Sequence, residues 1–270
     1  MQPDELMTEL GSTISALMAH GKGLLAANES DKTIAERFRP FAIEPTEENR
    51  RRYRQMLFTT PGVEKYISGV ILFDETIRQR ADDGRTFVDL LVERGITPGI
   101  KVDRGTVPLA GSPDERITEG LDGLRDRLEE YRALGARFAK WRAVISIGAE
   151  RPSAYAIDTN AHALARYASL CQEAGLVPIV EPEVLMDGDH SLEQSFAATE
   201  AALDRVFAAL RAQRVVLEQM LLKPNMVLPG ASSPRQATVP EVAEATVRCL
   251  RRTVPAAVPG IVFLDRKSVV

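Results

Sequence analysis

Cysteine is nearly absent from this 270-residue chain, which holds only Cys171 and Cys249. Two cysteines, both inside helical patterns, make no disulfide framework. They suit buried thiols in a reducing compartment, so a cytoplasmic protein is expected. Histidine is scarce as well: His20, His162 and His190 stand apart and show no metal-ligand spacing. The segment 187–190, Asp-Gly-Asp-His, reads as a solvated turn rather than a metal loop, and neither metal nor cofactor is expected. No apolar run approaches the roughly 18 residues of a membrane span. The acidic start, Met1-Gln2-Pro3-Asp4-Glu5, lacks the basic-then-apolar form of a secretory signal. Net charge is −4 with acids and bases interspersed, so no basic patch points to nucleic acid or to a membrane surface. No Gly-x-Gly-x-x-Gly follows the first strand candidate, which argues against a dinucleotide fold. No low-complexity linker divides the chain, and residues 1–270 read as one domain.

The chain does have enough apolar residues, 44%, to bury a substantial core. Strand candidates fall at 22–30, 67–74, 99–103, 138–147, 177–184, 215–226 and 259–264. Amphipathic helices alternate with most of them, at 4–20, from Thr46, at 86–94, about 121–134, from an Asp158 cap to Gly175, 191–213 and from Pro240. Residues 104–118, with Gly105, Pro108, Gly111 and Pro113, read as a loop. Strand and helix thus repeat every 30–45 residues or so, which predicts an α/β fold with a parallel sheet. Repeat number and length favour a (β/α)8 TIM barrel, whose active site lies at the C-terminal ends of the strands. Seven strands are counted, one short of a closed barrel.

Those strand ends are charged. They carry Asn28 and Glu29, Asp74, Lys101 and Asp103, Lys140 and Arg142, Glu181 and Glu183, and Lys223. Three strands place charges at i and i+2, on one face. Barrel strands are covered on both faces and should be nearly all apolar, and unpaired charge is costly there. A lone lysine at a strand end is ordinarily a snorkelling side chain. Three lysines, an arginine and several carboxylates on one rim are better read as a site. The chemistry they suit is covalent lysine catalysis: cations lower one another's proton affinity, and a carboxylate shuttles protons. Lys223, approached through the apolar run 215–222, is the first candidate nucleophile and Lys140 the second.

The segments Gly21-Lys22-Gly23-Leu24-Leu25-Ala26-Ala27, Gly99-Ile100-Lys101-Val102-Asp103 and Phe138-Ala139-Lys140-Trp141-Arg142 carry a further signal, as do Val177-Pro178-Ile179-Val180-Glu181-Pro182-Glu183 and Leu221-Leu222-Lys223-Pro224-Asn225-Met226. In order, they resemble the class I (Schiff-base) fructose-bisphosphate aldolases, from the first helix to about Leu264. The resemblance implies a barrel that reversibly cleaves fructose 1,6-bisphosphate to dihydroxyacetone phosphate and glyceraldehyde 3-phosphate without a metal. It implies Lys223 as the imine-forming lysine, Glu181 as general acid/base with Glu183 beside it, and Lys140 as the lysine assisting dehydration and cleavage. Lys101, Asp103 and Arg142 would line the substrate site, and Ser30 and Thr33 would contact phosphate. A homo-oligomer is expected of a complete barrel. The chain departs from the family pattern at three places. Asn28 replaces an aspartate, keeping size but not charge. Glu36 replaces a lysine. After Leu264 the phosphate-binding glycine turn, the eighth strand with its arginine and the tail ending in tyrosine do not follow, so the sequence is expected to lack a C-terminal portion. Asn28 and the missing turn also favour an alternative, a degenerate barrel that binds sugar phosphates or protein partners without turnover.

Overall fold

Strand formation follows the apolar runs, and the strands assemble side by side in parallel. The computed structural model describes residues 3–263. In chain order the strands are β1 (Gly23–Ala27), β2 (Ile67–Leu72), β3 (Thr97–Lys101), β4 (Thr106–Leu109), β5 (Ser112–Thr118), β6 (Phe138–Ile145), β7 (Val177–Val184) and β8 (Leu221–Leu222). Six of them form one sheet in the order β1-β2-β3-β6-β7-β8, every pair parallel. A single parallel bridge from Leu222 to Ile261 extends it. The helices are α1 (Pro3–Leu17), α2 (Asp31–Phe38), α3 (Glu47–Thr59), α4 (Asp74–Arg78), α5 (Phe87–Glu93), α6 (Leu124–Ala133), α7 (Ala154–Glu173), α8 (Leu192–Ala212) and α9 (Val239–Thr253). Side chains of Thr46, Thr86, Ser153, Ser191 and Thr238 cap α3, α5, α7, α8 and α9 by accepting an N3 amide, and Ser191 with Gln194 forms the predicted capping box.

Several sequence expectations are corrected. The 104–118 segment is not a loop: β4 and β5 pair as an antiparallel hairpin, with Gly111 at φ +76° in the turn. Prolines 108 and 113 are tolerated because a two-stranded ribbon has free edges. Ser153, not Asp158, caps α7, and Asp158 instead pairs with Arg205 at 2.8 Å. The strand expected over 215–226 shrinks to β8, because Leu217–Gln219 turns into a 3-10 helix held by the Gln172 amide. Only Ile261 of the 259–264 run pairs, while Leu264 and the residues after it lie outside the described residues. Asp187 and Asp189 are exposed as a solvated turn requires, but His190 is buried.

The strand pleat sorts the core into two layers. Outward residues such as Val70, Ile100, Trp141, Val180 and Leu222 pack with α5 to α9 in the main cluster. Inward residues Leu24, Ile71, Phe138, Ile179 and Leu221 pack with Leu10, Ile14 and Leu17 of α1, which plugs the N-terminal ends of the strands. Gly99 is required there, since a Cβ would lie 2.3 Å from the Phe138 ring. With the lower end sealed by apolar side chains, the inward faces of β3, β6, β7 and β8 become polar two residues further along, at Lys101, Lys140, Glu181 and Lys223.

Candidate active site

Alternation alone delivers the charged cluster. Leu24, Gly99, Phe138, Ile179 and Leu221 face inward, so Asn28, Lys101, Asp103, Lys140, Arg142, Glu181, Glu183 and Lys223, all an even number of residues later, face inward too. The parallel register sets neighbours: Lys101 pairs Lys140, Arg142 pairs Glu181, and Val180 pairs Leu222 just before Lys223.

Glu181 is the centre of this arrangement. Its carboxylate lies 2.5 Å from Lys223 Nζ on one oxygen and 3.0 Å from Lys140 Nζ on the other, and its side chain is 4% exposed. Burial alone would raise its carboxyl, but the charges of Lys140 and Lys223 outweigh that and hold it down to about 2. Arg142 donates to Glu183 and stands 3.9 Å from Glu181. Burial works to lower the Arg142 guanidinium, yet the Glu183 hydrogen bond prevails and leaves it above its ordinary value. Asp103 lies 2.7 Å from Lys101 and 4.0 Å from Lys140, and it accepts from the Arg142 backbone amide at 3.4 Å. Its oxygens therefore serve the lysines and the backbone. Asn28 is fully buried at the end of β1.

A cavity of about 590 Å³ opens beside the cluster, lined by Ser30, Thr33, Lys101, Asp103, Lys140 and Arg142. That size suits a small ligand. The Ser30 and Thr33 hydroxyls stand 3.1 Å apart at the start of α2, and the Ser30 side chain makes no cap bond to the helix. Glu181 and Lys223 are not among the cavity's lining residues; Lys140, which is, connects to Lys223 through Glu181. Asp74, grouped with the strand ends by sequence, is instead the first residue of α4; half-exposed, it pairs with Arg78 and accepts from Tyr131. It lines the outer part of the same cavity.

Sequence reasoning missed three supports. The hairpin is latched to the site by Thr118, whose hydroxyl donates to the Arg142 carbonyl at 2.7 Å. Buried Glu115 anchors it further by accepting from Ser112 and from the Ser153 amide at the start of α7. Arg54, 1% exposed on α3, bonds the backbone on both sides of Asn28. An arginine inside the basic run 50–54 carries little signal, although Arg54 stands four residues from buried Phe58 and so shares its inward face. No group of three His, Cys, Asp or Glu suited to a metal ion exists among the described residues, and no described helix is long and apolar enough to cross a membrane.

Comparison with known proteins agrees with this geometry. Residues 9–268 match the glycolytic fructose-bisphosphate aldolase class-I family. A Xanthomonas campestris protein named "Probable fructose-bisphosphate aldolase class 1" is 61% identical over 257 residues, covering 95% of this chain and 77% of the relative. The Arabidopsis thaliana "Fructose-bisphosphate aldolase 5, cytosolic" is 56% identical over 95% of this chain and 72% of its own length. The solved fructose-bisphosphate aldolase of Plasmodium falciparum superposes with a TM-score of 0.95 at 49% identity, over 97% of this chain and 76% of that one. Parallel strands curled into part of a TIM barrel are what this likeness requires. The chain belongs to the class-I fructose-bisphosphate aldolase family.

Proposed function

We propose that this chain reversibly cleaves fructose 1,6-bisphosphate to dihydroxyacetone phosphate and glyceraldehyde 3-phosphate in the cytoplasm, through a Schiff base on Lys223. The observation carrying the reading is the Glu181 carboxylate held between two lysines, 2.5 Å from Lys223 and 3.0 Å from Lys140. The cytosolic Arabidopsis relatives support the compartment.

The Lys223 amine, after giving up its proton, attacks the substrate ketone to form a carbinolamine. Loss of water, with a proton supplied by Glu181 or Lys140, leaves an iminium that draws electrons from the adjacent carbon–carbon bond. Removal of the hydroxyl proton from the neighbouring carbon breaks that bond and frees the aldehyde. The remaining enamine takes a proton on carbon, and water releases the ketone and restores the amine. Glu181 at about 2 is a carboxylate at rest. Forming the neutral carbinolamine removes one of the two cations that depress it, so its proton affinity rises at the step that requires a proton carrier. Glu183 and Arg142 form the adjoining relay pair. Lys101, Arg142, Ser30 and Thr33 would receive phosphate, and Asp103 would hold Lys101 and Lys140 in place for them.

Incubation with dihydroxyacetone phosphate followed by borohydride tests this. An adduct mapped to Lys223 by peptide mass supports it, and a folded chain with no adduct there sinks it. Buried Asn28, where a carboxylate is usual, favours a second reading in which sugar phosphate binds without turnover. Binding and adduct formation with no aldehyde released would select that one.

A further inference from the structure

Inward-facing Asn28 has outward-facing neighbours on either side, Ala27 and Glu29, and both are gripped from behind. Among the described residues β1 has a strand neighbour on one side only. On the outer side α3 brings up Arg54, whose Nε donates to the Ala27 carbonyl at 2.8 Å and whose Nη2 donates to the Glu29 carbonyl at 3.0 Å. The same Nη2 lies 3.1 Å from the Glu29 carboxylate, and both side chains are nearly fully buried. The other Glu29 oxygen lies 2.7 Å from Arg37 on α2, and Arg37 also donates to Tyr53. The chain Arg54–Glu29–Arg37 thus ties the end of β1 to both ends of the segment that carries Asn28, Ser30 and Thr33.

We infer that Arg54 is a positioning residue for this site: its guanidinium clamps the two peptide carbonyls flanking Asn28, and through Glu29 and Arg37 it fixes the phosphate-facing start of α2. A buried ion pair is an expensive way to gain stability alone, because desolvation offsets much of the attraction. Two backbone bonds spaced two residues apart need a planar fork, which arginine has and lysine lacks. The role in turnover rests on the aldolase reading given above; the clamp itself rests on geometry.

The test uses the full chain with Arg54→Lys and, as a milder variant outside the clamp, Arg37→Gln. Amide hydrogen exchange over residues 27–33 is followed by mass spectrometry, and kcat and KM are measured per borohydride-titrated Lys223. In Arg54→Lys, exchange over 27–33 is expected to quicken at least about tenfold, as for one lost charge-assisted bond, with β7 unchanged. Its kcat should fall about 10- to 100-fold, as for a displacement near 1 Å, while the Lys223 adduct still forms. Arg37→Gln should raise KM more than it lowers kcat, because it loosens α2 and leaves the carbonyl clamp intact. A merely structural Arg54 would lower the folded fraction without moving either readout. Parental exchange over 27–33 in Arg54→Lys overturns the clamp, and so does parental kcat/KM. If Arg54→Lys fails to fold, parental exchange over 27–33 and parental KM in both Arg37→Gln and Glu29→Gln overturn the tie from Arg54 through Glu29 to α2, and with it the positioning role. A parent that forms no Lys223 adduct refutes the aldolase reading instead, and the exchange result still decides the clamp.

Discussion

Replacing Glu181 by glutamine removes the one carboxylate that both Lys140 and Lys223 touch, at nearly unchanged shape. Two routes give its size. Holding a carboxyl at about 2 when its ordinary value is 4.5 corresponds to stability on the order of 3 kcal/mol. Breaking a buried pair by deleting one partner removes about 3–5 kcal/mol, and here two ammonium groups are left facing an amide. Glu181→Gln should therefore lower Tm by about 10 °C near neutral pH. Because the folded value is depressed, the contribution is complete above 4.5 and is lost as pH falls toward about 2. The Tm gap between parent and variant should then narrow steadily over that window. Turnover should drop about 10²- to 10⁴-fold, the range of a lost general acid/base. Differential scanning calorimetry from pH 7 to pH 2.5 and a coupled aldehyde assay read the two effects. A Tm gap independent of pH would refute the electrostatic argument, and a kcat within about threefold of the parent would refute the role of Glu181.

Two further perturbations separate charge from packing. Asn28→Asp adds a carboxylate at a fully buried position at the end of β1, and kcat in the cleavage assay should rise, by up to about 10² if residue 28 enters proton transfer; unchanged or lower turnover would remove residue 28 from the chemistry. Gly99→Ala places a methyl 2.3 Å from the Phe138 ring. Urea unfolding should show a loss of about 1–3 kcal/mol or more for such overpacking, and a neutral result would mean that the ring has room to shift.

Sequence periodicity carried most of the barrel because its signals were local. β7 matches its predicted span, since the apolar run 177–184 is bounded by the Gly175 turn and the Asp187 turn. The capping box at Ser191 needed only its own four residues. Where contacts from afar decide, the reading failed. The 215–226 run is apolar enough for a strand, but Gln172 of α7 bonds Val216 and Gln219, and Gln219 donates to Met7 of α1, which bends that stretch before β8. The hairpin was hidden because its glycines and prolines signal a loop, whereas its docking depends on Glu115 meeting Ser153 and Thr118 meeting Arg142. The candidate site was legible because charge at i and i+2 on a barrel strand has few cheap explanations. Arg54 was not, because it bonds two backbone carbonyls, which no side-chain pattern reports, and the Glu29 carboxylate beside them lies past the end of β1, far away in sequence.

The inward faces explain why stability and reactivity can share one set of strands. Below, Leu24, Ile71, Phe138, Ile179 and Leu221 form a dry layer sealed by α1. One step above it stand four cations, Lys101, Lys140, Arg142 and Lys223, against three carboxylates, Asp103, Glu181 and Glu183. The pairs are close enough to keep the layer folded, and the excess is one positive charge. A phosphorylated ligand entering the cavity by Ser30 and Lys101 would meet that excess and neutralise it. An aspartate at position 28 would cancel the excess in the empty site. Asparagine therefore shifts the balance toward holding an anionic ligand and away from moving its proton, and the Asn28→Asp variant should show the shift in both directions, with KM rising as kcat does.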